Sequence, residues 1–210
     1  MTVERRRLAL SSRVVGPRLL GAVLTSRVGG SSVSVRITEV EAYEGEGDPA
    51  SHAFRGLTPR TAVMFGPAGH LYCYFTYGMH WCANIVCATE GVASAVLLRA
   101  GEVVEGIDTA RARRPAASRD AELGRGPARL ATCLGLGRAQ NGTDLCTSGS
   151  EVELVWMPGR RLPFEAGPRV GITRAVDQPW RFWLACEASV STFRPGDRQR
   201  RRRVRQTEEP

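Results

Sequence analysis

The sequence predicts an α+β fold: a single compact domain around a mostly antiparallel, curved sheet, with a protruding β-hairpin and short flanking helices. Three observations carry this. Short runs of β-forming residues, punctuated by Gly, Pro or Asn-Gly, recur along most of the chain. Apolar residues fall at helical spacing in only two stretches, both short. No internal repeat or composition break divides the 210 residues, a length that buries a sizeable core in one unit.

Residues 1–12 are expected to form a loose basic leader, residues 13–192 the domain, and residues 193–210, nearly free of apolar side chains, a disordered Arg-rich tail. That arginine run suits nonspecific attraction to nucleic acid and plain solvation equally well. Val15, Leu19, Leu20 and Val23 predict a short helix over Val14 to Leu24, which Pro17 either breaks or starts. Gly29-Gly30 then divides two alternating runs, a hairpin signature. On the second run Val33, Val35 and Ile37 share a face. Unbroken alternation carries Glu39 and Glu41 onto that face, where a carboxylate is costly unless paired or functional. A break near Val40 would instead return Glu41 to solvent, and periodicity leaves both registers open.

Residues 45–69, rich in Gly, Pro and polar side chains, read as a long structured loop holding His52, Arg55 and Arg60. Such loops in compact domains tend to be functional. Leu71 to Asn84, LYCYFTYGMHWCAN, reads as two strands meeting at Gly78, with Tyr77 at or beside the tip. A large ring at a hairpin tip has little core to pack against. Three of the four tyrosines, Tyr72, Tyr74 and Tyr77, fall in this stretch. Val92 to Arg99 is an apolar strand ending in a charge that needs a partner. Residues 107–126 read as a surface loop or partial helix. In GPARLATCLGLG, Pro127 suits a first helical turn, Leu130 and Leu134 share a face, and Gly135 or Gly137 ends the helix. Arg125 and Arg129 flank its start, where free amides suit a phosphate as well as open solvent. Val152 to Val155, Val170 to Ile172 and Trp180 to Leu184 supply further short strands.

The chain carries 29 basic residues against 21 acidic ones, a net charge of +8, and every basic residue is arginine. This balance favours a polyanionic partner, because guanidinium grips phosphate with a planar fork and stacks on bases. Without lysine, no side-chain amine is available to form a Schiff base. The six cysteines form no Cys-x-x-Cys pair and, with no secretory signal, are expected to be reduced and mostly buried. The three histidines are not spaced as a ligand set, so neither metal nor cofactor is expected. No apolar run reaches the length of a membrane span, and a cytoplasmic location without membrane association is expected.

Several segments occur in an order that is informative as a set: RITEVEAYEG, Ser51-His52, TPRTAVMFGPAGHLYCYFTYGMHWCANI, AVLLRA, GPARL, NGTDL and PRVGITRAVDQPWRF. Together, from about Arg18 to Phe182, they resemble the alkyladenine (3-methyladenine) DNA glycosylases of mammals and many bacteria. The resemblance implies that Glu41 activates the water that attacks the sugar C1′, with Arg99 near that water and the target phosphate. It implies that Tyr43, His52 and Tyr74 enclose an extruded base, that Asn84 screens purines by their 2-substituent, and that Tyr77 wedges into the duplex. A backbone carbonyl of the Arg169-Val170-Gly171 segment is expected beside the same water. Met79, His80, Trp81 and Ala83 depart from the family pattern and leave base preference open. The partner implied is double-stranded DNA carrying alkylated purines, bound by a monomer that breaks the N-glycosidic bond and leaves an intact abasic site. Two other readings share most of these features: a non-catalytic module that recognises damaged DNA, and an RNA-binding domain using the same aromatic strands.

Overall fold

A computed structural model of the chain describes residues 3–76, 78–156 and 162–196. The sheet is organised on β2 (Val33–Glu44), whose twelve residues run through its middle. Along one edge β2 pairs with β5 (Ser94–Glu105) over nearly its whole length. Its other edge is shared, first by β1 (Val23–Ser26) and then by β8 (Arg181–Leu184). Beyond β5 lie β4 (His80–Val86) and β3 (Leu71–Thr76), β6 (Val152–Val155) lies outside β1, and β7 (Phe164–Gly167) pairs with β8. Every pairing is antiparallel. The helices are short: α1 (Arg5–Leu8), α2 (Ser12–Leu19), α3 (Ile107–Arg113) and α4 (Pro127–Leu134).

The turn chemistry read from the sequence sets these elements. Gly29 and Gly30, at φ of 73° and 77°, reverse the chain between β1 and β2, and Gly78, at φ 67°, does so between β3 and β4. Pro127 opens α4, and Gly135, left-handed at φ 69°, ends it. The aromatic hairpin projects as expected, with Phe75 and Met79 exposed near its end. Tyr77 itself lies outside the described residues.

Two faces of the sheet bury different things. One packs against α2 and α4 in the main core, where Val33, Val35, Ile37, Val40 and Ala42 of β2 meet Ile85, Val96, Leu98, Leu130 and Leu134. The other carries a smaller cluster, Ala53, Met64, Tyr72, Val86, Ala93 and Ala95, beneath the 45–69 loop. The register question on β2 is resolved by two irregularities flanking Glu39. Ile37 faces Gly101, Glu39 faces Ala100 and Val40 faces Leu98, so Thr38 is an extra residue on β2 and Arg99 an extra residue on β5. Alternation therefore restarts on both strands. Val40 and Ala42 inherit the apolar face, while Glu39, Glu41 and Tyr43 turn to the other with Leu97 and Arg99. The alternation does break near Val40, but Glu41 is not returned to solvent: it is fully buried on the second face.

Other expectations need correction. The loose leader proposed for residues 1–12 is folded from Val3 onward: Leu8 is fully buried, and Arg5 donates to Asp144 at 2.6 Å and to the Ala68 carbonyl. The predicted helix around Pro17 is α2, which starts earlier, at Ser12, and ends at Leu19 so that β1 can begin at Val23. Val170 to Ile172 is not a strand, because Gly171 takes φ 73° and the Val170 N–H bonds outside any ladder. β7 was not foreseen. Of the predicted disordered tail, Phe193–Gly196 are folded, with the Arg194 carbonyl accepting from the Gly171 N–H at 2.9 Å; residues 197–210 lie outside the described residues. All six cysteines are free, four of them buried. Among the described residues no helix is long and apolar enough to cross a membrane.

Candidate active site

A single line of backbone pairings crosses the second face: Tyr72 on β3 faces Asn84 on β4, which faces Leu97 on β5, which faces Glu41 on β2. Three strand spacings, roughly 14 Å, thus separate the ends of the row. Above it opens a cavity of about 340 Å³, lined by Glu41, Tyr43, His52, Tyr74, Asn84 and Arg99 together with Tyr72, Met64, Cys82 and Val170. All six of the described residues expected at a site therefore share one cavity.

Glu41 is held on three sides. Its Oε1 accepts from the Val170 N–H at 2.7 Å and lies 3.4 Å from Arg99 Nη1, while its Oε2 accepts from the Tyr43 hydroxyl at 2.9 Å. A carboxylate offers about four acceptor positions, so Oε2 keeps one for a further donor. The 169–171 segment is expected to offer a carbonyl to the catalytic water; what it gives the acid itself is the Val170 N–H. Arg99, itself 7% exposed, also donates from Nε to Glu39 Oε1 at 2.9 Å and from Nη2 to Ser191 Oγ at 3.2 Å. Burial alone would lower the Arg99 pKa, but the charges of Glu41 and Glu39 more than reverse that and raise it. Glu39 is a hub: it also accepts from Arg181 Nε at 2.6 Å, from the Ser191 N–H at 2.7 Å and from the Ser191 hydroxyl at 2.9 Å.

The ring wall has two parts. On the β3 side His52, carried on a short 3-10 turn capped by Ser51, packs edge-on against Tyr74 with ring centroids 4.5 Å apart, and its Nδ1 lies 3.2 Å from the Tyr72 hydroxyl. Tyr72 and Tyr74 stack at 5.6 Å. Although the His52 residue is exposed overall, desolvation of its ring against the tyrosines, helped by the nearby Arg60 charge, lowers its pKa to about 4. The imidazole is therefore neutral at physiological pH. Desolvation likewise raises the pKa values of Tyr72, Tyr74 and Tyr43, the last also through the Glu41 charge, so all three phenols keep their protons. The other wall is Tyr43 on β2. Asn84 is pinned at the cavity floor by donating Nδ2 to the Tyr72 carbonyl at 3.0 Å.

Sequence reasoning missed several contributors. Tyr72 had a legible signal, since it lies two residues before Tyr74 and so on the same face of the strand. Asp48 and Arg169, which meet behind Tyr43, had none, because their pairing is set by the fold alone. NGTDL is explained as a brace: Asn141 Oδ1 accepts from the Cys73 N–H at 3.0 Å, and Gly142 and Thr143 bond the backbone of Leu71. Arg125 turns from the start of α4 to the Val190 carbonyl, which it reaches at 2.9 Å.

This geometry, a buried carboxylate beside a cavity walled by neutral aromatic rings, can be set against known proteins. The chain is 50% identical over 193 residues to a protein of Streptomyces avermitilis, covering 90% of both chains. It is 51% identical over 196 residues to one of Frankia casuarinae, covering 89% of this chain and 90% of that one. It is 50% identical over 192 residues to one of Leifsonia xyli, covering 88% and 89%. All three carry the provisional name 3-methyladenine DNA glycosylase. Residues 7–188, nearly all of the described fold and every residue lining the cavity, match the model of one family, and the chain belongs to it: the methylpurine-DNA glycosylases.

Proposed function

We propose that this chain, acting as a monomer, draws an alkylated purine out of double-stranded DNA, hydrolyses its N-glycosidic bond and leaves an intact abasic site. The enzyme class, a DNA-repair hydrolase of N-glycosyl bonds, comes with the family. The observation that carries the finer reading is the placement of Glu41, fully buried yet lining a cavity it shares with Tyr43, His52 and Tyr74.

A base within a duplex is out of reach, and extruding it costs a few kcal/mol. Tyr77, next to the left-handed Gly78 at the end of an exposed hairpin, is proposed to fill the gap left in the stack. The extruded purine would slide between Tyr43 and the His52–Tyr74 pair. Purines alkylated at N3 or N7 are cations, and neutral rings attract them while a protonated imidazole would repel them. The depressed pKa of His52 supports a wall built for positive charge. Asn84, whose Nδ2 is tied to the Tyr72 carbonyl, lines the cavity and is proposed to screen the 2-substituent of the purine.

The C1′–N bond of a cationic purine breaks with its electron pair going to the base, which leaves neutral. Water attacks C1′, and its proton passes to Glu41, whose charge also favours the growing positive charge on the sugar. The chain holds no lysine, so no side-chain amine is present to form a Schiff base and cut the backbone.

Release of free base from alkylated duplex DNA, with identification of the purines, tests this. Glu41→Gln is expected to abolish release, by about 10³-fold, while duplex binding persists; unchanged release removes the mechanism. Tyr77→Ala is expected to weaken capture of the lesion far more than the single-turnover rate at saturating enzyme.

A further inference from the structure

Behind Tyr43 lies a buried ion pair that the mechanism above does not use. The side chains of Arg169 and Asp48 are both 0% exposed, and the guanidinium grips both carboxylate oxygens, at 2.5 and 2.8 Å. Arg169 also donates to the Ala42 carbonyl at 3.0 Å. Its Cζ lies 4.5 Å from the centroid of the Tyr43 ring and 5.0 Å from that of Trp180, so the planar cation packs against both rings. Tyr43 lines the cavity, whereas Arg169 and Asp48 do not. The guanidinium therefore covers the face of Tyr43 turned away from the cavity.

A positive charge behind an aromatic ring opposes a second cation on the front, because the two repel through a thin, poorly polarisable layer. Asp48 cancels that charge. Its carboxylate also accepts from the backbone N–H groups of Glu44 and Ala50, which fixes it between β2 and the loop bearing His52. We propose that Asp48 and Arg169 are a specificity-determining pair: Arg169 backs Tyr43 mechanically, and Asp48 neutralises it so that the cavity face of the ring accepts a cationic purine. This rests on the reading of the cavity as a base pocket.

The test compares a cationic with a neutral lesion, so that any general loosening of the pocket cancels. Equilibrium binding of duplexes bearing one 7-methylguanine or one hypoxanthine is measured in a Glu41→Gln background, in which neither is consumed. Adding Asp48→Asn leaves the Arg169 charge uncompensated and is expected to lower the preference for 7-methylguanine about tenfold. Adding Arg169→Gln is expected to raise it, and the two together to return it near the parent. If every variant shifts both lesions equally, the pair is only structural and the proposal falls. Should the Asp48→Asn protein not fold by circular dichroism, Arg169→Gln and the double variant decide the matter by the same ratio. Wild-type protein is assayed alongside for base release: no release from alkylated DNA overturns the proposed function, whatever the binding ratios show.

Discussion

Tyr43 donates its phenolic hydrogen to Glu41 Oε2 across 2.9 Å, from two residues further along the same strand. One side chain thus lines the cavity and steadies the acid. Tyr43→Phe keeps the ring and removes only this bond. A hydrogen bond to a charged group contributes about 1.5–3 kcal/mol, so we expect the single-turnover rate to fall roughly ten- to hundredfold, with lesion binding nearly unchanged. Rate and affinity measured on one alkylated duplex separate the two effects.

The imidazole of His52 is expected to titrate near pH 4 in a proton–nitrogen NMR titration. The sign for stability follows. Between an unfolded value near 6.5 and the depressed folded value, the unfolded chain binds the proton and the folded one does not. The His52 contribution therefore erodes stability as pH falls through that window and is constant above it. A midpoint for His52 above 6 would overturn both the neutral wall and this pH dependence.

Glu39 stands between Arg99 and Arg181, and its removal leaves both guanidinium groups buried without their shared carboxylate. Glu39→Gln is expected to lower unfolding free energy by about 3–5 kcal/mol, read from urea denaturation. Base release should fall as well, since Arg99 loses the contact that aims it at Glu41.

Much of this architecture was legible in the sequence where local chemistry decides structure. Paired glycines at 29 and 30, Gly78, and the Pro127 and Gly135 ends of α4 each impose a backbone conformation that few other residues accept. What stayed hidden depends on residues distant in the chain. Periodicity could not see the extra residues Thr38 and Arg99, because a bulge is defined only by the partner strand. The 170–172 segment has strand-forming residues but gives the Val170 N–H to Glu41 instead of to a ladder. The start of the chain looked loose because its arginines dominate it, yet Arg5 is anchored by Asp144 and Leu8 by the core. That Glu41, Tyr43, His52, Tyr74, Asn84 and Arg99 gather around one cavity was legible through the resemblance of whole motifs; the pairing of Arg169, inside one of those motifs, with Asp48, outside all of them, was not.

The extra residue at Thr38 makes the chemistry of this chain a matter of odd and even. Straighten the strand while keeping Thr38 in step, and the acid would exchange places with Val40, sinking into oil while an isopropyl group stared into the cavity. Side chains along β2 can therefore vary widely, but a position kept between Ile37 and Glu39 must stay out of step with the strand.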